Sequence, residues 1–160
     1  MALPRIVLVP GAWHGPSCMA TVTSKLEAFG YQVHSRQLPA VGNPNPPKDL
    51  SEDIAAIRGL VEEAIGEGNE VVVVPHSWGG IVAGSALIGL GKEERQAEDK
   101  KGGVVRTAYI AAFIVPEGVS LMDVLQHQIP PWWNVEVCTL GMLWYVASLI
   151  EQCRDPRFML

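Results

Sequence analysis

The sequence predicts an α/β fold, a three-layer sandwich around a mostly parallel sheet. Three observations carry that prediction. Apolar runs rich in β-branched residues stand at 5–10 (RIVLVP), 70–74 (EVVVV) and 104–115 (VVRTAYIAAFIV). Segments with helical spacing separate them. The resulting order is strand, helix, strand, helix, strand, helix, strand, as expected for parallel strands joined by crossover helices.

Residues 5–10 read as a strand buried on both faces, and GAWHGP follows as a Gly/Pro-rich loop. Residues 17–29 place Cys18, Val22, Leu26 and Phe29 at helical spacing, with Pro16 before them and Gly30 after. Residues 31–38 read as a second strand. Prolines in 39–48 (PAVGNPNPPK) leave too few backbone donors for a ladder or helix. Asp49 with Glu52 then predicts a capping-box start to a helix whose stripe is Leu50, Ile54, Ile57, Val61 and Ile65. GEGN at 66–69 ends it. The strand at 70–74 runs into PHSWGG and an apolar helix over 81–90. Eight of the ten residues at 92–101 are charged, four of each sign, which predicts a solvated helix end or loop. The Gly102-Gly103 pair then releases the chain into the strand at 104–115. No internal repeat or linker interrupts the pattern.

The composition narrows the function. The chain has 160 residues, the size of one domain, with 48% apolar and 18% charged residues. This excludes disorder and a collagen-like chain. The net charge of −5 argues against a nucleic-acid partner. Cys18, Cys138 and Cys153 are too few and scattered for a disulfide framework, and no Cys/His cluster has metal-ligand spacing. The apolar start Ile6–Val9 is too short for a signal peptide, and the run 137–150 is shorter than the ~20 residues of a span. The expectation is a cytoplasmic protein with no membrane span, metal or cofactor.

The informative segment is VVVVPHSWGG, 71–80. A serine between a buried strand and a Gly-rich helix start matches the design of a nucleophile elbow. Such a turn holds Ser77 in a strained conformation and lifts its hydroxyl above the sheet. Residues two positions either side must be small. Gly79 meets this, whereas Pro75 stands where the pattern has its first glycine. The alternative is a tight turn before a packed helix. The GAWHG loop after the first strand favours the catalytic reading, because a second oxyanion donor is placed there in such enzymes. The backbone N–H groups of Ala12 and Trp78 are the candidate donors. His14 reads as a brace of that loop. His76 reads as packed support, since adjacent side chains on a tight turn diverge. Trp13, Trp78, Trp132 and Trp133 could line an apolar pocket, although tryptophans are more often core. No GxGxxG follows the first strand, which weighs against dinucleotide binding.

The segments IVLVPGAWHGP, the Pro-rich loop before Asp49, VVVVPHSWGGIVAG and KGGVVRTAYIAAFIVPEGVSL cover most of 5–135. Together they resemble the α/β-hydrolase fold superfamily, specifically its esterase and hydroxynitrile-lyase-like group. Forms reading PGAWHGP and HSWGG are similar to fungal and bacterial hydrolases. The resemblance implies Ser77 as nucleophile and Ala12 with Trp78 as oxyanion donors, with Gly11, His14, His76 and Gly79 as motif support. Family esterases usually begin the first loop with His-Gly, where this chain has Pro10-Gly11. Family lyases place Thr where it has Gly11. The balance leans towards hydrolysis of small carboxylic-ester-type molecules. The alternatives are a lyase on the same fold and a non-catalytic remnant.

A serine nucleophile needs a base and an orienting carboxylate, in the chain order Ser, acid, His. After Ser77 the sequence holds His127 alone, in QHQIPPWW, where the family begins its lid. His127 is therefore expected near the pocket rather than as the base. Glu117 could serve as the acid, with a surface glutamate as the plainer reading. The expected organisation is 1–136 as the nucleophile half with the start of a lid, and 137–160 as a divergent tail. The C-terminal strands of the sheet would be lacking. The strand at 104–115 would then be an open apolar edge, prone to self-association.

Overall fold

The computed structural model describes residues 2–45, 47–131, 135–138 and 142–145. The chain divides into two units, Met1–Pro116 and Glu117–Leu160. In the first, strands β1 (Arg5–Val9), β2 (Val33–Ser35), β3 (Glu70–Pro75) and β4 (Gly103–Thr107) form one sheet in the order β2-β1-β3-β4. All pairings are parallel. Helices α1 (Ala20–Ala28), α2 (Ser51–Ile65), α3 (Gly79–Ala86) and α4 (Lys92–Ala97) connect them. The α/β reading holds, with four strands covering part of such a fold.

Strand β1 is central, and both its faces are covered. Ile6 and Leu8 on one side and Val7 and Val9 on the other are all buried. This is why its sequence is continuously apolar rather than alternating. The core joins Val7, Val9, Val71 and Val73 of the sheet to Ile57, Leu60, Val61 and Ile65 of α2 and to Val82 and Ala86 of α3. Each of these valine, leucine and isoleucine side chains, when fully buried, stabilises the fold by about 1.5–3 kcal/mol.

Several elements are shorter than their sequence patterns. A 3-10 turn over Pro16–Met19 precedes α1, and neither contains a buried residue. The stripe of Cys18, Val22, Leu26 and Phe29 therefore stays outside the core, with Phe29 77% exposed. The expected strand at 31–38 shrinks to three residues. Arg36 instead turns to α2, where it meets Glu63 at 2.8 Å and the carbonyl of Ala56 at 3.3 Å. The capping box expected at Asp49 and Glu52 is replaced by a local turn, in which Asp49 Oδ1 accepts from Ser51 N–H at 2.8 Å. The apolar run at 104–115 is a regular strand only to Thr107, beyond which single bonds from Ala108 and Ile110 continue towards β3. A register shift opposite Val71/Val72 and a positive φ of 42° at Ala111 break the extended path. The charged segment at 92–101 forms α4, which has no buried residue.

The second unit has a short helix, α5 (Leu121–Val124), capped by Ser120, whose hydroxyl accepts from Asp123 N–H at 3.2 Å. Strands β5 (Val135–Cys138) and β6 (Met142–Tyr145) pair antiparallel. Residues 136 and 137, between which the tail was expected to begin, both lie in β5. Among the described residues no helix is long and apolar enough to cross a membrane.

Candidate active site

Strand β3 ends at Pro75, and α3 begins four residues later at Gly79. Ser77 lies between them with φ +51°, in the left-handed region. A non-glycine residue there is strained by about 1–2 kcal/mol. Neighbouring backbone holds it in place. The carbonyl of Ser77 accepts from Phe113 N–H at 3.0 Å and Gly80 N–H at 3.1 Å, and its own N–H reaches Ile110 O at 3.4 Å. The irregular continuation of β4 thus serves as a brace for the turn.

The requirement for small residues is met physically. A methyl on Gly79 would lie 2.6 Å from Pro10 O and 2.8 Å from Val9 O. Pro75 stands in place of glycine as the buried last residue of β3 and adds no N–H to the ladder. His76 N–H makes the bond to Val9 O at 3.0 Å, while Pro75 O accepts from Ile110 N–H at 3.0 Å.

The loop after β1 packs against this turn. Gly11 is buried, and a methyl on it would lie 3.0 Å from Ser77 Cβ and 3.1 Å from His76 Nδ1. Trp13 also has a positive φ, 62°. His14 closes the loop, with its N–H directed at Gly11 O at 3.4 Å and its Nδ1 2.7 Å from Ala12 O. A carbonyl only accepts, so His14 Nδ1 carries the proton. Among the described residues neither Ala12 N–H, Trp78 N–H nor the Ser77 hydroxyl has a hydrogen-bond partner. The N-terminus of α3 adds a favourable field for an anion here.

Burial, and next the nearby His14, hold His76 below the ordinary imidazole pKa. Both effects favour its neutral form. Trp78 is half-buried against the core.

The structure thus brings together Gly11, Ala12, His14, His76, Ser77, Trp78 and Gly79. Trp13 is half-buried in the same loop. Glu117 and His127 belong to the second unit, and both are exposed. His127 Nε2 lies 3.2 Å from Asp123 Oδ1 there. Trp132 and Trp133 lie outside the described residues. Among the described residues no cluster of His, Cys, Asp or Glu is placed to hold a metal.

Sequence reasoning missed Asp53, a carboxylate only 1% exposed in the first turn of α2. Its position was a signal. It stands three residues after Leu50 and four before Ile57, on the apolar stripe. The roles of Ile110 and Phe113, which act through their backbone, left no mark in residue type. A surface depression of about 560 Å³ is lined by Arg5, Gly66, Glu67, Gly68, Asn69 and Lys101. These residues stand at the strands' N-terminal ends, opposite Ser77. The chemistry of open parallel sheets sits at the C-terminal ends.

Comparison with known proteins agrees with this fold. The sequence profile of the alpha/beta hydrolase family matches residues 6–159. The chain is 33% identical over 130 residues to the alpha/beta hydrolase nvfD of Aspergillus novofumigatus, covering 81% of this chain and 51% of that one. It is 29% identical over 156 residues to a carbendazim hydrolyzing esterase of Nocardioides, covering 94% and 58%. Its fold resembles that of a pyrethroid hydrolase from Sphingobium faniae, with a TM-score of 0.64, 21% identity and coverage of 96% and 60%. The chain spans about half the length of the curated relatives it matches. The match across nearly all of its residues shows that the chain belongs to the alpha/beta hydrolase family.

Proposed function

We propose that the chain carries the nucleophile and oxyanion site of a serine hydrolase acting on small carboxylic-ester-type molecules. One observation carries this reading. A serine held at φ +51° between strand and helix faces a loop whose Ala12 amide, like that of Trp78, has no acceptor among the described residues. Ser77 Oγ would attack the acyl carbonyl, forming a C–O bond as its proton passes to solvent water. The N–H groups of Ala12 and Trp78 would receive the developing oxyanion, each such donor giving about 3 kcal/mol of transition-state stabilisation. Collapse breaks the bond to the alcohol oxygen, which takes a proton from solvent as it departs, and water then cleaves the acyl-serine to the carboxylic acid and free Ser77. The hydrolase names of the relatives support the reaction class.

A second reading, a non-catalytic member of the fold, is favoured by a separate observation. Among the described residues no histidine nitrogen hydrogen-bonds Ser77 Oγ. Hydrolysis of a p-nitrophenyl ester separates the two. Slow turnover that disappears in Ser77→Ala supports the hydrolase. Equal rates for the two folded proteins support the non-catalytic reading.

A further inference from the structure

Asp53 has an arrangement that the core alone does not call for. One oxygen, Oδ1, accepts from Ala40 N–H at 2.9 Å. The other, Oδ2, is buried and has no partner among the described residues. Burial pushes the carboxyl above its ordinary range, against the pull of the Ala40 N–H. A half-satisfied buried carboxyl weakens a fold relative to an apolar side chain. Ala40 is itself exposed, and its bond to Asp53 is only part-buried. What Asp53 adds is therefore a fixed position for the turn at 38–41, not relief of a stranded donor.

That turn leads to Ser77 through contacts within the first unit. Val41 N–H bonds Leu38 O at 2.9 Å, and Leu38 is fully buried. The amide nitrogen of Gln37 donates to Val41 O at 3.0 Å. Its amide oxygen lies against Gly15, where a methyl would overlap it. Gly15 ends the loop that starts at Gly11, and Gly11 abuts Ser77.

We propose that Asp53 is a positioning residue for the Ser77 site: it fixes the 38–41 turn, and Gln37 passes that order to the 11–15 loop. This rests on the reading of that loop as an oxyanion donor. A donor must be held to within about 0.5 Å to serve a transition state. Glycine-rich loops lack that order by themselves.

Amide hydrogen exchange by NMR on the whole chain tests the link without any chemistry at Ser77. In Asp53→Leu, exchange should rise roughly tenfold at Ala40, and also at the His14 and Cys18 amides, while β1 and β3 keep their protection. Asp53→Asn retains an acceptor and should stay near wild type. Gln37→Ala should loosen His14 and Cys18 and leave Ala40 protected. The proposal is overturned if loosening stops at Ala40, if β1 and β3 lose protection in step, or if Gln37→Ala leaves the loop unchanged. Should Asp53→Leu not fold, Gln37→Ala still decides. A wild-type protein with no reactivity at Ser77 would sink the hydrolase reading alone.

Discussion

Gly11 and Ser77 meet backbone to side chain, so closely that a methyl on Gly11 would lie 3.0 Å from Ser77 Cβ. The loop after β1 and the turn after β3 are thus one assembly. Gly11→Ala should displace one against the other by a few tenths of an ångström. Reactivity at Ser77 should fall by at least ~10-fold, since small misplacements in such sites have large effects on rate. Stability should drop by only ~1 kcal/mol, as the neighbouring loop can yield. Labelling kinetics beside a urea melt would check this, and equal losses in both would contradict it.

Gly79 and Gly84 share α3 but should respond oppositely to alanine. On Gly79 the methyl meets two backbone carbonyls, at 2.6 and 2.8 Å, neither free to move. Gly79→Ala should destabilise by about 1–3 kcal/mol. Gly84 is exposed with nothing within 4 Å, so Gly84→Ala should stabilise by up to ~1 kcal/mol through helix propensity. Thermal melts that rank the two the other way would show that the strand–helix approach is looser than described.

Much of this was legible in the sequence where local pattern and burial coincide. Val7, Leu8 and Val9 read as a doubly covered strand because they are one. The turn at Ser77 was readable because its steric demands fix residue types at Gly79. Other features depend on what lies across space. Phe29 has helical spacing yet stays 77% exposed, because no element covers that face in the first unit. The run after Thr107 has strand composition, but its backbone is diverted to bond the Ser77 turn. Asp53 was hidden by its type, since a carboxylate in the first turn of a helix is ordinarily a solvated one.

Acid should weaken the fold through two histidines. Burial, and then Arg5, holds His34 below the ordinary imidazole value, with Glu63 opposing, and burial does the same for His76. As pH falls through about 6.5 the unfolded chain takes up protons that the native imidazoles refuse. Stability is therefore lost on acidification, levelling off once the native rings also protonate. The raised carboxyl of Asp53 acts in the opposite sense, its unfavourable effect being relieved as pH falls through its raised native value towards the ordinary carboxylate one. Urea midpoints should be lower near pH 5.5 than near pH 7.5, and His34→Gln should reduce the difference. A flat or rising midpoint on acidification would rule this out.

The first unit has an open edge at β4. Its neighbour is β3 on one side, and on the other, among the described residues, a bridge from Gly91 meets Val104 alone. Val105, Tyr109, Ile110 and Ile114 are all exposed. Such an edge pairs readily with another chain, and a lysine blunts it. Sedimentation velocity should show concentration-dependent association that Val105→Lys reduces. A wild-type chain that stays monomeric throughout would show that the edge is protected.

An activated Ser77 nucleophile is read directly by covalent capture. The pure folded chain is treated with a fluorophosphonate and weighed intact, beside Ser77→Ala. One adduct per chain, located on Ser77 and missing from the variant, is the predicted result. A folded wild-type chain that gains no adduct, or gains it equally in the variant, would contradict the account.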